Sequence, residues 1–171
     1  MPPLVLADAT ALLEMPRVVT ANRHDELWRD LTKKVEDNAF GFPRSVVDEV
    51  SVLGRGENVA SWATGVSGSV GKNFTPNRKF FRPVMAVVSI ELGFQEGFES
   101  IDGSEPCIAD VCLVARKLEN MRAEFVIASE DLGFSPLRPT MEQIARYIGW
   151  PLVNCKQSLK LLNLGHLLVG W

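Results

Sequence analysis

Short, continuous apolar runs alternate along this chain with stretches in which apolar residues recur at helical spacing. Residues 4–7 (Leu-Val-Leu-Ala) and 125–128 (Phe-Val-Ile-Ala) are four-residue apolar runs closed by polar residues. That is the pattern of strands buried on both faces of a parallel sheet. Residues 39–42 and 151–153 predict two further short strands. Between them, residues 9–14 open a helix, and residues 24–35 carry Leu27, Trp28, Leu31 and Val35 along one helical stripe. Pro43 suits a first helical position, and the 44–53 helix turns Val46, Val47, Val50 and Leu53 inward with Glu49 off the stripe. Residues 84–94 predict a helix. Another starts at 103–106 with Ser104 as its N-cap and runs on as an apolar stretch, 107–115, broken by Asp110. Residues 140–148 form a helix, and 158–168 a helix or tail. Strands alternating with helices predict an α/β sandwich with a mostly parallel sheet.

The chain of 171 residues fits one domain. Residues 54–79 are rich in Gly, Ser, Asn and Thr and predict a loop or loosely held helical excursion; a loop or helical insertion over 54–103 fits within the single domain 1–171. Hydrophobic residues make up 46% and charged residues 23%, so the composition is that of a folded domain rather than a disordered chain. A net charge of -3 excludes a protein that coats nucleic acid by charge alone. No apolar run approaches the ~18 residues that a bilayer span needs, and the N-terminal residues do not read as a secretory signal. Three cysteines without a CxxC pair predict neither a disulfide framework nor a zinc knuckle, and point to a reducing, cytoplasmic setting.

The acids change the picture. The 4–7 strand ends in Asp8 and the 125–128 strand in Ser129-Glu130-Asp131. In open parallel sheets, sites form outside the carboxyl ends of strands. Asp110 is a carboxylate in an apolar helix, which is costly without compensation. Glu49 is a candidate fourth ligand. No other counter-charge is expected among these acids, and hard oxygen donors without His or Cys favour Mg²⁺ or Mn²⁺. Each acid also has a plainer role open to it. Asp8 can cap the next helix, Asp110 can be satisfied by a backbone N–H or an Arg, Glu49 can be solvated, and Asp131 can be a turn acid.

The segments LVLADATALL (4–13), FPRSVVDEV (42–50), IADVCLVARKL (108–118) and EFVIASEDLGF (124–134), in that order, resemble those of the PIN-domain ribonucleases. With its long 54–107 interval and Trp62 soon after the second acid, the chain resembles an enlarged PIN-like branch of the VapC-type toxin superfamily. The resemblance implies a three-layer Rossmann-like sandwich. It also implies a Mg²⁺ or Mn²⁺ site on Asp8, Glu49, Asp110 and Asp131, supported by Thr10, Ser129 and Glu130. Ser129 stands where the family has Thr, and Asp8-Ala9-Thr10 replaces the commoner start; Glu130 and Asp131 both remain candidates for the fourth ligand. The implied activity is metal-dependent endoribonuclease cleavage, as the toxin of a toxin–antitoxin pair and often as a homodimer. The alternative is a catalytically inactive PIN-like scaffold that binds RNA or a protein.

Other chemistries fit less well. A haloacid-dehalogenase-type phosphatase needs a second Asp where Thr10 stands, receiver domains need an acid pair and a late Lys, and no phosphate-cradling GxxxxGK[ST] is present. His24 and His166 are expected in structural or solvated roles, and the four tryptophans in the core or an interface. Lys72, Arg78, Lys79 and Arg82, interleaved with Phe74, Phe80 and Phe81, pair basic with aromatic residues as RNA contacts do. A packed helix start is the plainer reading of that stretch. A docking surface for an antitoxin or second subunit, through the three phenylalanines, is its rival.

Overall fold

The computed structural model describes residues 2–86, 105–136 and 138–170, with the backbone alone for Met85, Glu105 and Pro106. The fold is α/β. Four parallel strands, β1 (Leu4–Ala7), β2 (Phe40–Gly41), β3 (Phe125–Ala128) and β4 (Leu152–Val153), lie in the order β2-β1-β3-β4 and are flanked by helices. The two central strands are the two four-residue apolar runs. Each has strand neighbours on both sides, and their inward residues Val5, Leu6, Ala7, Ile127 and Ala128 are fully buried. From β1 the chain crosses to β2 on one side, and from β3 it crosses to β4 on the other. The gap between the ends of β1 and β3 is therefore the switch point at which parallel sheets form sites. Ala7 pairs with Ala128, so Asp8 and Ser129 leave the sheet side by side.

The helices follow their apolar spacing, except that Leu53, expected to face inward, is exposed at the end of its helix. Helix α1 (Ala9–Val18) extends beyond the predicted 9–14. Met15 and Val18 continue its buried stripe on either side of Pro16, which lies inside the helix. Helix α2 (His24–Glu36) buries Leu27, Leu31 and Val35, and α3 (Arg44–Leu53), with Pro43 as N-cap rather than first helical residue, buries Val46, Val47 and Val50. Helix α6 (Glu105–Asn120) lies against β1 and β3, and residues 107–115 are buried throughout. Helix α7 (Met141–Ile148) opens on a capping box of Thr140 and Gln143. Helix α8 (Cys155–Leu161) opens on a box of Asn154 and Gln157, so it starts before the predicted 158.

The Gly-rich 54–79 region departs from the expectation of a loosely held excursion. It contains α4 (Asn58–Val66), which buries Val59, Ala63 and Val66. Trp62 of α4 stacks on Trp28 with ring centres 5.3 Å apart and donates its indole N–H to Thr32. Further on, Phe74 is buried with its ring against Gly41 of the edge strand, where a Cβ would come within 2.3 Å of it. A short α5 (Phe81–Met85) packs on α6. The helix predicted over 84–94 lies outside the described residues from 87 onward, as do the Ser104 cap and the end of the 54–103 insertion. Among the described residues, no helix is long and apolar enough to cross a membrane.

Candidate functional site

Asp8 is fixed by the start of α1. As N-cap it accepts the Ala11 N–H on Oδ1 at 3.0 Å, and the Thr10 hydroxyl donates to the same oxygen at 2.6 Å. The neighbouring strand end completes the shell. Ser129 donates its hydroxyl to Asp8 Oδ2, the Asp131 N–H donates back to Ser129 Oγ at 3.0 Å, and the Glu130 N–H donates to Thr10 Oγ1 at 2.8 Å. The two supporting hydroxyls thus lock the ends of β1 and β3 together. Asp8 is 3% exposed. Burial pushes its carboxyl up to about 6, against the pull of the Ser129, Thr10 and Ala11 hydrogen bonds, and the Asp131 charge adds to the rise.

Asp8, Thr10, Glu49 and Asp131 line one pocket of about 180 Å³, with Cys107, Ile108, Leu53 and Arg138. Three of the four predicted acids are thus brought together from β1, α3 and the end of β3. The pair left open at the end of β3 has divided roles. Glu130 turns to the first turn of α8, where its Oε1 accepts the Cys155 N–H at 2.7 Å, and it does not line the pocket. Asp131 lines it, and its Oδ2 also accepts the Met141 N–H at 2.9 Å in the first turn of α7.

Asp110 is placed differently. It lies one turn along α6 from Cys107 and is not among the pocket-lining residues; Arg78 donates to its Oδ1 at 3.1 Å. This is the Arg-satisfied role that the sequence left open for a buried acid. No three of the four acids bring ligand atoms within 4.8 Å of one another. Among the described residues only Glu26, Asp30 and His166 do so, and Arg23 already binds both oxygens of Glu26. His166 sits 3.7 Å from Glu26, and His24 meets the Val19 carbonyl, so both histidines serve the fold.

The expectation of acids without a counter-charge is corrected by two arginines. Arg78 holds Asp110, and Arg138 holds Asp131 Oδ2 at 2.8 Å, with both side chains of the second pair nearly buried. Arg138 gave no sequence signal, because it precedes α7 in an irregular segment and reaches the site only through the fold. Cys107 was also missed, although its position one helical turn before Asp110 could have marked it. Its thiol hydrogen-bonds to Glu49, and burial first, then the Glu49 carboxylate, push it well above the ordinary thiol range, so it stays protonated.

The basic segment meets the site's flank through Arg78. Lys72, Arg78, Lys79 and Arg82 are all exposed, and Lys79 lies over the Phe80 ring. Phe74 is buried in the core, which removes it from any docking surface; Phe81 is exposed and Phe80 half-buried. Compared with known proteins, the chain matches no family model, no curated protein and no solved structure.

Proposed function

We propose that the chain is a metal-dependent ribonuclease that hydrolyses RNA phosphodiester bonds at the pocket between β1 and β3. The observation that carries this reading is the convergence of Asp8, Glu49 and Asp131 on one pocket at the switch point of a parallel sheet. The donor set fits Mg²⁺ or Mn²⁺, because it consists of hard carboxylate oxygens and one of them, Asp8, is held against ionisation by its burial, a penalty that a bound cation would relieve. Asp8, Glu49 and Asp131 would hold the ion, with Asp110 one helical turn beyond the pocket. Bound there, the ion supplies an activated water and a charge on the phosphoryl oxygen. Ser129 and Thr10 hold the Asp8 carboxylate at the pocket through hydrogen bonds to both of its oxygens. The exposed basic residues at 72, 78, 79 and 82 would lead the RNA backbone towards the acids. The resemblance to PIN-domain toxins extends the proposal to a role as the toxin of a toxin–antitoxin pair, in the cytoplasm, with homodimer formation.

The test is cleavage of total RNA with Mn²⁺, with EDTA, and with Asp8→Asn. Cleavage that needs Mn²⁺ and disappears in Asp8→Asn supports the reading; cleavage that survives in that variant rejects it. A second reading, an inactive PIN-like scaffold, draws support from the two arginines that already neutralise Asp110 and Asp131. It predicts RNA or protein binding with no response to Mn²⁺.

A further inference from the structure

The pocket's own cation is the observation that the proposed reaction leaves unused. Arg138 lines the pocket with Asp8, Glu49 and Asp131, its side chain only 12% exposed. One amine, Nη1, donates to Asp131 Oδ2 at 2.8 Å and to the Pro139 carbonyl at 3.1 Å. The strap that carries it is tied at both ends. Thr140 donates its hydroxyl to the Gly133 carbonyl at 2.8 Å, Glu142 accepts the Gly133 N–H at 3.1 Å, and the Glu142 N–H donates to the Asp131 carbonyl at 3.1 Å. A guanidinium stays charged across the accessible pH range, so this occupancy cannot be relieved by deprotonation. A divalent ion sharing Asp131 would stand close to a fixed positive charge, and like charges in a poorly solvated pocket repel strongly.

We propose that Arg138 is a built-in counter-cation that stabilises the acid pocket in its metal-free form, and that Mg²⁺ or Mn²⁺ can load only when its guanidinium withdraws from Asp131. The inference rests on the metal-dependent reading above. It makes metal affinity depend on the fraction of molecules with Arg138 withdrawn, since a ligand that binds one conformer is weakened by that conformer's scarcity.

The experiment is calorimetric titration of Mn²⁺ into metal-stripped wild type, Arg138→Gln and Arg138→Lys, with melting temperatures in EDTA alongside. Removing the charge should tighten Mn²⁺ binding by about tenfold, a typical size for coupling between two binding events. The same variant should melt lower than wild type in EDTA and regain the difference in Mn²⁺. Lysine, a more hydrated point charge without the guanidinium's fork, should give an affinity between the two, and serves as the test should Arg138→Gln not fold. Wild-type binding that is unchanged or weakened in the variants overturns the counter-cation role while leaving the metal site standing. Absence of Mn²⁺ binding in every protein overturns both that role and the metal-dependent reading.

Discussion

Asp8 carries two duties whose demands conflict. As the α1 cap it is stabilised by hydrogen bonds to its carboxylate, and as a buried acid it is penalised for being charged. Burial wins, and the carboxyl titrates at about 6 in place of 3.8. The sign of the pH dependence follows. Between those two values the folded state binds the proton more tightly than the unfolded chain, so this group's contribution to stability is present at low pH and is lost as pH rises through about 6. In EDTA, Asp8 alone should cost the wild type about 2 kcal/mol between about pH 4.5 and about pH 7. Asp8→Asn keeps an acceptor for the Ala11 N–H and removes the charge, so its stability should lack that part of the slope. Denaturant unfolding of both proteins at the two pH values measures the difference. Equal slopes would mean that Asp8 is not the buried, proton-retaining acid described here. The Asp131 carboxylate also accepts the Met141 N–H in the first turn of α7 while lining the pocket, whereas the Glu130 carboxylate turns to α8.

At the scale of elements, the sheet edge depends on a contact between β2 and the segment after α4. The Phe74 ring fills the space above Gly41, and any side chain at position 41 collides with it. Gly41→Ala should therefore destabilise the fold by about 1–3 kcal/mol, the usual cost of overpacking a core. Phe74→Leu in the same background should recover part of that loss, a coupling that a double-mutant cycle in urea reads directly. A Gly41→Ala protein as stable as wild type would show that Phe74 does not seat there. This contact also shows where sequence reading stops. The two central strands were legible because four apolar residues in a row, bounded by polar ones, are too short for a buried helix and suit a strand covered on both faces. The strand-end acids were legible with them. Helix α4 was legible only as one of two outcomes, loop or helical excursion, because Gly54, Gly56, Gly65 and Gly68 blurred the spacing of Val59, Ala63 and Val66 whose burial decides it. The pairing of Arg78 with Asp110 spans 32 positions, and the Arg138–Asp131 contact is made within an irregular segment that has no repeating pattern. No periodicity encodes either of these.

On the scale of the whole molecule, a net charge of -3 and an acid-lined pocket both oppose the approach of RNA, so the proposed ribonuclease reading requires a local attraction. On that reading the exposed cations of residues 72–82 would supply it. Arg78 bonds to Asp110 on α6, and Cys107, one turn earlier on that helix, lines the pocket, so the basic segment stands beside the acids. Arg78 is itself 70% exposed, and an ion pair so open to water holds its cation weakly enough to share it with a phosphate. The triple variant Arg78→Ala, Lys79→Ala, Arg82→Ala should bind single-stranded RNA more weakly in EDTA. Its salt dependence should also flatten, the slope of log affinity against log salt falling by about 0.7 for each phosphate that the variant no longer neutralises. Asp110→Asn is the control, since it frees Arg78 without removing it and should leave affinity equal or higher. Fluorescence anisotropy across a salt series, run beside sedimentation of the same proteins, separates this role from an interface built on the exposed Phe81. Unchanged RNA affinity with altered assembly would assign the segment to protein docking and move the RNA path to another part of the surface.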